Sequence, residues 1–163
     1  MTVVMMEKSQ ISFRVLSSAD AAALTALLQS QSLDYLKGFH PYPFEEEEIR
    51  CRLKAIQQDV WWGIEAEGKL AGLVMLRGLD EGYKRPAFGV FVAEEYAGHG
   101  LARQALRHCL AWCQSRGILR VMLKVEPTNI RAKNLYLDEG FKADGICSRS
   151  GQEIMEWSEE SSR

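Results

Sequence analysis

The spacing of apolar residues along the chain predicts strands and helices that follow one another within one domain. Short apolar runs bounded by turn residues are typical of strands, and apolar residues three and four positions apart are typical of helices. The predicted strands are residues 11–16, 61–66, 70–76, 88–92, 119–125 and 154–157. The predicted helices are residues 21–29, a segment with apolar positions Ile49, Leu53, Ile56 and Val60, and residues 101–115 and 129–139.

The order of these elements indicates an α/β fold. In the first half, two strands flank Glu67 and Gly68, a pair of residues that suits a tight antiparallel hairpin turn. In the second half, strands and helices alternate, which implies a right-handed crossover and parallel pairing. We therefore expect a single domain over residues 1–163, with its core at about residues 11–158 and a mixed central sheet flanked by helices.

The composition is that of a folded globular domain. The chain has 163 residues, of which 47% are hydrophobic and 26% charged, and its formal net charge is −2. This mildly acidic balance argues against a broadly basic nucleic-acid-binding protein. The first ten residues lack a signal-peptide pattern, and the apolar run 70–76 is too short for a membrane span, which takes about 20 residues. We expect a cytoplasmic protein that binds neither membranes nor nucleic acid.

The four cysteines, Cys51, Cys109, Cys113 and Cys147, form no CxxC pair, so no metal site is expected. Cys109 and Cys113 lie four residues apart on one face of a predicted helix, and we expect them to be small, buried apolar residues of a reducing compartment. His108 adjoins Cys109, but neighbouring side chains on a helix diverge by about 100°. We therefore expect His108 on the helix surface and not as a base for a catalytic cysteine.

The run Glu45–Glu48 is the main charge cluster, and it stands at the start of a predicted helix. Acidic side chains at a helix N-terminus are favoured by the helix dipole. In addition, Glu46 and Glu48 can pair with Arg50 and Arg52 four residues later. This structural role accounts for most of the run, and attraction of a cationic substrate is the alternative role.

The first candidate for chemistry is the segment in which the predicted strand 88–92 runs through a glycine-containing turn into a helix. A helix start exposes unpaired N–H groups that bind anions, especially phosphate. Gly98 and Gly100 let a ligand approach the backbone closely, and Ala102 keeps the first helical turn slim. The dinucleotide fingerprint GxGxxG would need glycine where Arg103 stands, and the nucleotide-triphosphate loop GxxxxGK(S/T) is absent. A helix cap without a ligand also explains the two glycines.

The second candidate segment begins at Asn129 and continues with Ala132, Tyr136 and Gly140. Spacings of three, four and four residues place these positions on one helical face. Ala132 leaves a shallow place on that face, and the Tyr136 hydroxyl reaches out of it. A purely structural interpretation makes Asn129 or Thr128 the N-cap, Tyr136 a core aromatic and Gly140 the C-cap.

Together, and in this order, the two segments resemble those of the GCN5-related N-acetyltransferase superfamily. Residues 97–102, AGHGLA, are similar to the family's pyrophosphate-binding segment, (R/Q)xxGx(G/A). Residues 129–141 match its NxxAxxxYxxxGF segment, which Phe141 completes. The specific similarity covers residues 84–141, and the first strand, helix and hairpin look like the family's opening elements. The chain departs from the pattern at Ala97, where the family usually has Arg or Gln.

The resemblance implies transfer of an acetyl group from acetyl-coenzyme A (acetyl-CoA) to a primary amine, on a small molecule or a peptide, by direct attack on the thioester. It implies that strands 88–92 and 119–125 splay apart and that the pantetheine arm lies in the gap. The implied cofactor-binding residues are Phe91 and Val92 through their backbone, Gly98, His99, Gly100, Leu101 and Ala102 around the pyrophosphate, and Asn129 beside the pantetheine. Arg103 and Lys133 are candidates to supply the charge that Ala97 lacks.

Tyr136 is the implied general acid. A phenol with a pKa of about 10 stays protonated at neutral pH and can donate to the departing thiolate. The alternative is a tyrosine that only packs against the cofactor. A backbone N–H near Val92 would stabilise the thioester oxygen. Because strand 88–92 carries no carboxylate, Asp80 or Glu81 in the preceding loop is the candidate base.

Two other functions are compatible with the sequence. The first is a non-catalytic CoA-binding or regulatory module of the same fold, since the central strand lacks an acid. The second is a purely structural interaction domain. Residues 33–44 and 77–85 are expected to shape the acceptor pocket, but the sequence does not identify the acceptor. A homodimer is compatible with the sequence as well.

Overall fold

The computed structural model describes residues 10–38 and 45–162 of the chain. The proline-constrained loop at residues 40–44 and the first nine residues lie outside the described part. Within the described ranges, no helix combines the length and the apolar character that a bilayer crossing needs. The same ranges contain no group of three His, Cys, Asp or Glu side chains arranged to hold a metal ion.

Seven strands of the described chain form one mixed sheet, whose spatial order is β1-β2-β3-β4-β5-β7-β6. The strands are β1 (Ile11–Val15), β2 (Val60–Ala66), β3 (Lys69–Arg77), β4 (Ala87–Val92), β5 (Arg120–Val125), β6 (Lys142–Ile146) and β7 (Glu153–Ser158). Only the neighbours β4 and β5 run parallel in this sheet. The predicted mixed sheet of an α/β domain is therefore confirmed.

Helices cover both faces of the sheet. The four α-helices of the described residues are α1 (Ala21–Gln29), α2 (Glu46–Ala55), α3 (Leu101–Ser115) and α4 (Ile130–Asp138). Successive side chains of β3 point to opposite faces. Leu73 and Met75 belong to the core beneath α1 and α2, whereas Val74 and Leu76 belong to the core beneath α3. Strand β4, which pairs with β3, is thus held between two apolar layers.

Most predicted elements agree with the structure to within one residue at each end. The six predicted strands are all present, and α1 and α3 have the predicted bounds. Glu67 and Gly68 both have positive φ, 53° and 78°, as a two-residue type I′ hairpin turn requires. The ion pairs Arg50–Glu46 and Arg52–Glu48 form at 2.8 and 3.0 Å, which confirms the structural role of the glutamate run.

The second predicted helix is shorter than its apolar periodicity indicated. α2 ends at Ala55, Ile56 is extended with ψ of 128°, and Val60 begins β2. The carboxylate of Asp80 accepts hydrogen bonds from the backbone N–H groups of residues 57–59, at 2.6 to 3.3 Å. A contact between distant parts of the chain therefore ends the helix where local spacing predicted its continuation.

The edge strand β6 was not predicted. All five of its residues, KADGI, are exposed, so they show no alternation of apolar and polar positions. The strand pairs with β7, and the register shifts between Ala143 and Ile146. Its position in the sheet comes from this pairing and not from a local pattern of apolar residues.

The cysteines differ in their surroundings. Cys109 and Cys113 are fully buried, as expected, whereas Cys51 is exposed and Cys147 is half-buried. The Ser150 hydroxyl, followed by the backbone N–H groups of residues 149–150, lowers the pKa of Cys147 to about 6. Cys147 is therefore mostly a thiolate at neutral pH.

His108 lies between aromatic rings and not on the helix surface, so that expectation was wrong. Its imidazole stacks on Phe13 with ring centroids 4.5 Å apart, and meets the edge of Trp62 at 5.3 Å. The Nε2 atom is buried and has no hydrogen-bond partner. Burial lowers the pKa of His108, because the charged form would lose its water.

Replacing His108 by phenylalanine should stabilise the fold, more at pH 5 than at pH 8. The change removes a buried nitrogen without a partner, a defect that costs about 1–3 kcal/mol. Because burial lowers the pKa of His108 in the folded chain, the unfolded chain takes up a proton at this residue at a higher pH than the folded chain does. The wild-type protein therefore loses stability as the pH falls below about 6.5. Thermal unfolding of both proteins across this range measures the effect. If the melting temperatures of the two proteins changed with pH in parallel, the lowered pKa of a buried His108 would be contradicted.

Candidate functional site

The central gap of the sheet lies between the parallel strands β4 and β5. The two strands are in register only at Ala87 and Met122, where the Met122 N–H donates to the Pro86 carbonyl at 2.9 Å. Beyond this point no ladder bond joins them, and they diverge toward their C-terminal ends at Val92 and Val125. The implied splay of the two strands is therefore present.

The hydrogen-bond register decides which backbone groups of β4 face this gap. The Ala93 N–H donates to the Ala71 carbonyl at 2.8 Å, so these two residues form a hydrogen-bonded antiparallel pair. Such pairs recur at every second position, so Phe91 bonds to Leu73 of β3. The Phe91 backbone groups consequently point away from the gap, which corrects the expectation for this residue.

Val90 and Val92 have the opposite orientation and present their backbone groups toward β5. They stand four and six residues after Pro86, and backbone groups an even number of residues apart on a strand point to the same side. The Pro86 carbonyl already bonds to β5. The Val92 carbonyl accepts a hydrogen bond from the Tyr35 hydroxyl at 2.5 Å. The Val92 N–H remains directed into the gap, at the position that sequence reasoning expected for the donor to a thioester oxygen.

The turn before α3 and the first residues of that helix present a row of backbone N–H groups that have no backbone partner among the described residues. Gly98 and Gly100 have φ of 84° and 77°, in the left-handed region that favours glycine. Along the chain from Gly98, the first N–H group that makes a backbone hydrogen bond is that of Gln104, which donates to the Gly100 carbonyl at 3.2 Å. The N–H groups of residues 98–103 make no backbone hydrogen bond within the described chain. This row, here called the glycine cradle, has the chemistry of an anion-binding site.

The basic side chains expected to support the cradle are engaged elsewhere. Arg103 pairs with Glu139 at 2.6 Å, and Lys133 pairs with Glu153 at 2.9 Å. The cation beside the cradle is instead Arg131. A Cβ atom built on Gly98 would lie 4.0 Å from its Nη2 atom. Sequence reasoning missed Arg131, although its place two residues after the motif asparagine was a usable signal.

Asn129 and Gly140 close the two ends of α4, as the structural interpretation predicted. The Asn129 Oδ1 accepts a hydrogen bond from the Ala132 N–H at 3.2 Å, so Asn129 is the N-cap. Gly140 has φ of 98°, and the next N–H, that of Phe141, donates to the Tyr136 carbonyl at 2.9 Å. The capping role of Asn129 uses its oxygen and leaves the side-chain NH₂ available.

Tyr136 lies on the core side of α4, with 9% of its surface exposed. Its ring contacts Phe88 and Phe141, with centroids 6.4 and 5.8 Å apart. Burial raises the pKa of Tyr136 to about 12. The phenol is thus protonated throughout the physiological range, and it stands on the helix that follows β5, one of the two diverging strands.

The two residues that the sequence suggested as bases lie at the end of β4 that is away from the gap. Asp80 and Glu81 lie in the loop that enters β4, whereas the gap opens at the other end of that strand. Burial raises the pKa of Asp80, but hydrogen bonds from the N–H groups of residues 57–59 outweigh it and lower the pKa overall. Asp80 therefore holds the α2–β2 connection, and the loop 78–86 does not border the gap.

Acidic residues at the correct end follow directly after β4. Glu94 and Glu95 form the short turn of helix that leads to the cradle. Burial raises the pKa of Tyr35, and the charges of these two glutamates raise it further, whereas Arg131 opposes them. The charged groups of Glu94, Glu95 and Arg131 are therefore each within electrostatic reach of Tyr35, whose hydroxyl bonds to the Val92 carbonyl at the end of β4. A pair of acids at the C-terminal end of a central strand was the sequence signal for them.

A sheet that opens between two parallel strands, beside a helix start with free N–H groups, is the arrangement that the family resemblance implied. The chain belongs to the acetyltransferase (GNAT) family, whose model matches residues 24–141. Within the curated proteins it is similar to the spermidine N(1)-acetyltransferase of Escherichia coli strain K12, with 29% identity over 83 residues. That alignment covers 50% of this chain and 45% of the relative. The chain thus spans about half the length of the curated relatives that it matches.

Solved structures share the whole fold. A ribosomal-protein-S5-alanine acetyltransferase from Vibrio fischeri has a TM-score of 0.80 and 17% identity, with 99% of this chain and 100% of that chain covered. A ribosomal L7/L12 α-N-protein acetyltransferase in complex with coenzyme A has a TM-score of 0.78 and 16% identity, with 94% and 95% covered. At these identities the likeness shows the fold.

Proposed function

We propose that the protein transfers the acetyl group of acetyl-CoA to a primary amine. The observation that carries this proposal is the divergence of β4 and β5 directly beside the glycine cradle. One edge of the sheet thereby offers backbone groups for an extended ligand arm and N–H groups for its anionic end. Family membership supports the same donor, since the matched family is one of acetyltransferases.

The cofactor would lie along this edge. Its pantetheine arm would pair with the backbone N–H and carbonyl of Val90, as an added strand pairs with a sheet edge, and the Val92 N–H would remain for the thioester oxygen at the end of the arm. The NH₂ group of Asn129 would bond to the arm from the α4 side. Gly98, His99, Gly100, Leu101 and Ala102 would hold the pyrophosphate through their N–H groups.

The reaction begins when the neutral amine nitrogen attacks the thioester carbon. The Val92 N–H donates to the oxygen as negative charge develops there, the C–S bond then breaks, and the electron pair leaves on sulfur. A thiol has a pKa of about 8.5, well below the value of about 12 for Tyr136. Complete proton transfer from the phenol is thus uphill, so Tyr136 stabilises the thiolate by hydrogen-bond donation. The attacking nitrogen then loses one proton to solvent as the amide forms, and solvent protonates the thiolate.

The ammonium form of the acceptor must lose a proton before the attack. We assign this task to Glu94 and Glu95, acting through water, because they stand at the end of β4 where the gap opens. Their charge also favours an acceptor that arrives as a cation. A small polyamine and a peptide amine both satisfy these requirements.

The test combines binding with turnover. Thermal unfolding is measured with CoA, acetyl-CoA and longer acyl-CoAs, and thiol release is followed with spermidine, a lysine peptide, an alanine-terminated peptide and an aminosugar. We expect CoA to raise the melting temperature, because a ligand that binds only the folded state stabilises it. We also expect thiol release with at least one amine. Stabilisation without turnover would favour a CoA-binding module, and no stabilisation would overturn the cofactor assignment.

A further inference from the structure

The residue directly before the glycine cradle carries no basic side chain. Ala97, where the family pattern has Arg or Gln, is an exposed alanine. Backbone N–H groups alone would therefore face an anionic ligand from the α3 side. The other wall of the cradle is the first turn of α4, which begins immediately after Asn129.

Arg131 is the side chain that reaches the cradle from this wall. Its Nη2 atom lies 4.0 Å from the position of a Cβ on Gly98, so the guanidinium lies against the open face of the glycine. Glycine at position 98 leaves this face uncovered, and a larger residue would come between the guanidinium and a ligand. Burial raises the pKa of Tyr35, whose hydroxyl bonds to the Val92 carbonyl, and the charge of Arg131 acts against this rise. The guanidinium therefore lies beside the cradle and within electrostatic reach of the gap.

Arg131 also differs from the neighbouring cations in its bonding. Arg103 and Arg107 both pair with Glu139, and Lys133 pairs with Glu153. Within the described chain, Arg131 makes neither an ion pair nor a side-chain hydrogen bond. A guanidinium presents five N–H donors in a planar fork that matches two phosphate oxygens at once. This donor set is therefore free for an anion bound at the cradle.

We propose that Arg131 binds the pyrophosphate of the cofactor from the α4 side and replaces the basic side chain that position 97 lacks. This inference rests on the proposed use of acetyl-CoA. The pyrophosphate is then held between two walls, the N–H groups of residues 98–103 and the guanidinium. The pairing also joins α3 to α4 across the ligand, so the affinity of the site depends on a residue outside the glycine segment.

The test compares Arg131→Gln with Arg107→Gln, which removes the same charge from a paired arginine of α3. Calorimetry gives the Kd of the full chain for CoA, for dephospho-CoA, which keeps the pyrophosphate, and for pantetheine, which lacks phosphate. We expect Arg131→Gln to weaken CoA and dephospho-CoA by about 10- to 100-fold, the range for a charged hydrogen-bond pair. Pantetheine affinity should not change, and Arg107→Gln should bind all three ligands as wild type does.

Each outcome separates this inference from the proposed function. If the wild type fails to bind CoA, the proposed function fails with it. If the wild type binds CoA and Arg131→Gln binds it equally well, only the role of Arg131 is overturned. A loss that disappears with dephospho-CoA would assign the guanidinium to the 3′-phosphate and overturn the pyrophosphate assignment. Arg131 is exposed, so its variants should fold; Arg131→Lys, which keeps a single charge, should recover part of the affinity.

Discussion

Replacing Tyr136 by phenylalanine is expected to lower kcat by about 100-fold, at the lower end of the range for the loss of one hydrogen-bond donor to developing negative charge. The variant keeps the ring that packs between Phe88 and Phe141 and loses only the hydroxyl. Because that hydroxyl acts on charge that develops on sulfur during C–S cleavage, its loss should leave the Kd for CoA within about two-fold of wild type. Steady-state kinetics and calorimetry on the same samples measure both quantities.

The matched control is Tyr83→Phe, which removes the same atom from an exposed tyrosine in the loop that enters β4. This control should have wild-type kcat. Since the pKa of Tyr136 is about 12, its ionisation should cause no loss of rate between pH 7 and pH 10. An unchanged kcat in Tyr136→Phe would leave the tyrosine as a core residue. Loss of CoA binding in proportion to kcat would make it a packing residue for the cofactor.

Replacing Gly72 by alanine is expected to destabilise the protein by about 3 kcal/mol or more, which is at the upper end for overpacking. A Cβ at this position would lie 2.3 Å from the Phe91 carbonyl oxygen and 3.2 Å from the Val92 Cα. Both atoms are backbone, so no side chain can move aside and β3 must separate from β4. Chemical denaturation gives the loss of stability.

The same substitution should abolish CoA binding even below the unfolding temperature, because it displaces Val92 at the mouth of the gap. Gly89→Ala is the matched control on β4, where the added Cβ would meet only the flexible Met75 Cε, at 3.4 Å. We expect it to cost less than about 1 kcal/mol and to preserve binding. A Gly72→Ala protein as stable as wild type would contradict the close approach of the two strands.

The glycine and tyrosine segments were readable from the sequence because their geometry is local. The positive φ values of Gly98 and Gly100 belong to single residues, and a helix start follows at once. The spacing from Asn129 to Tyr136 fixes one face of α4 whatever surrounds it. The resemblance to the acetyltransferase family depended on the order of these two segments, and the family match over residues 24–141 agrees with it.

Errors occurred where two distant parts of the chain meet. The apolar pattern of α2 predicted helix beyond Ala55, but Asp80 binds the following N–H groups from another loop. His108 has the sequence context of a surface residue, and only the approach of β1 and β2 places it between aromatic rings. The exposed strand β6 owes its position to β7 alone.

By itself, the sequence determined the order of strands and helices, the fold class and the two segments of the site, since each depends on residues within a few positions of one another. Only the tertiary structure decided that Val90 and Val92, and not Phe91, face the gap, because strand register is set by pairing with β3. It also decided that Arg131 lies beside the cradle while Arg103 is paired with Glu139. Charges act through space, so their partners depend on how helices pack and not on their spacing along the chain.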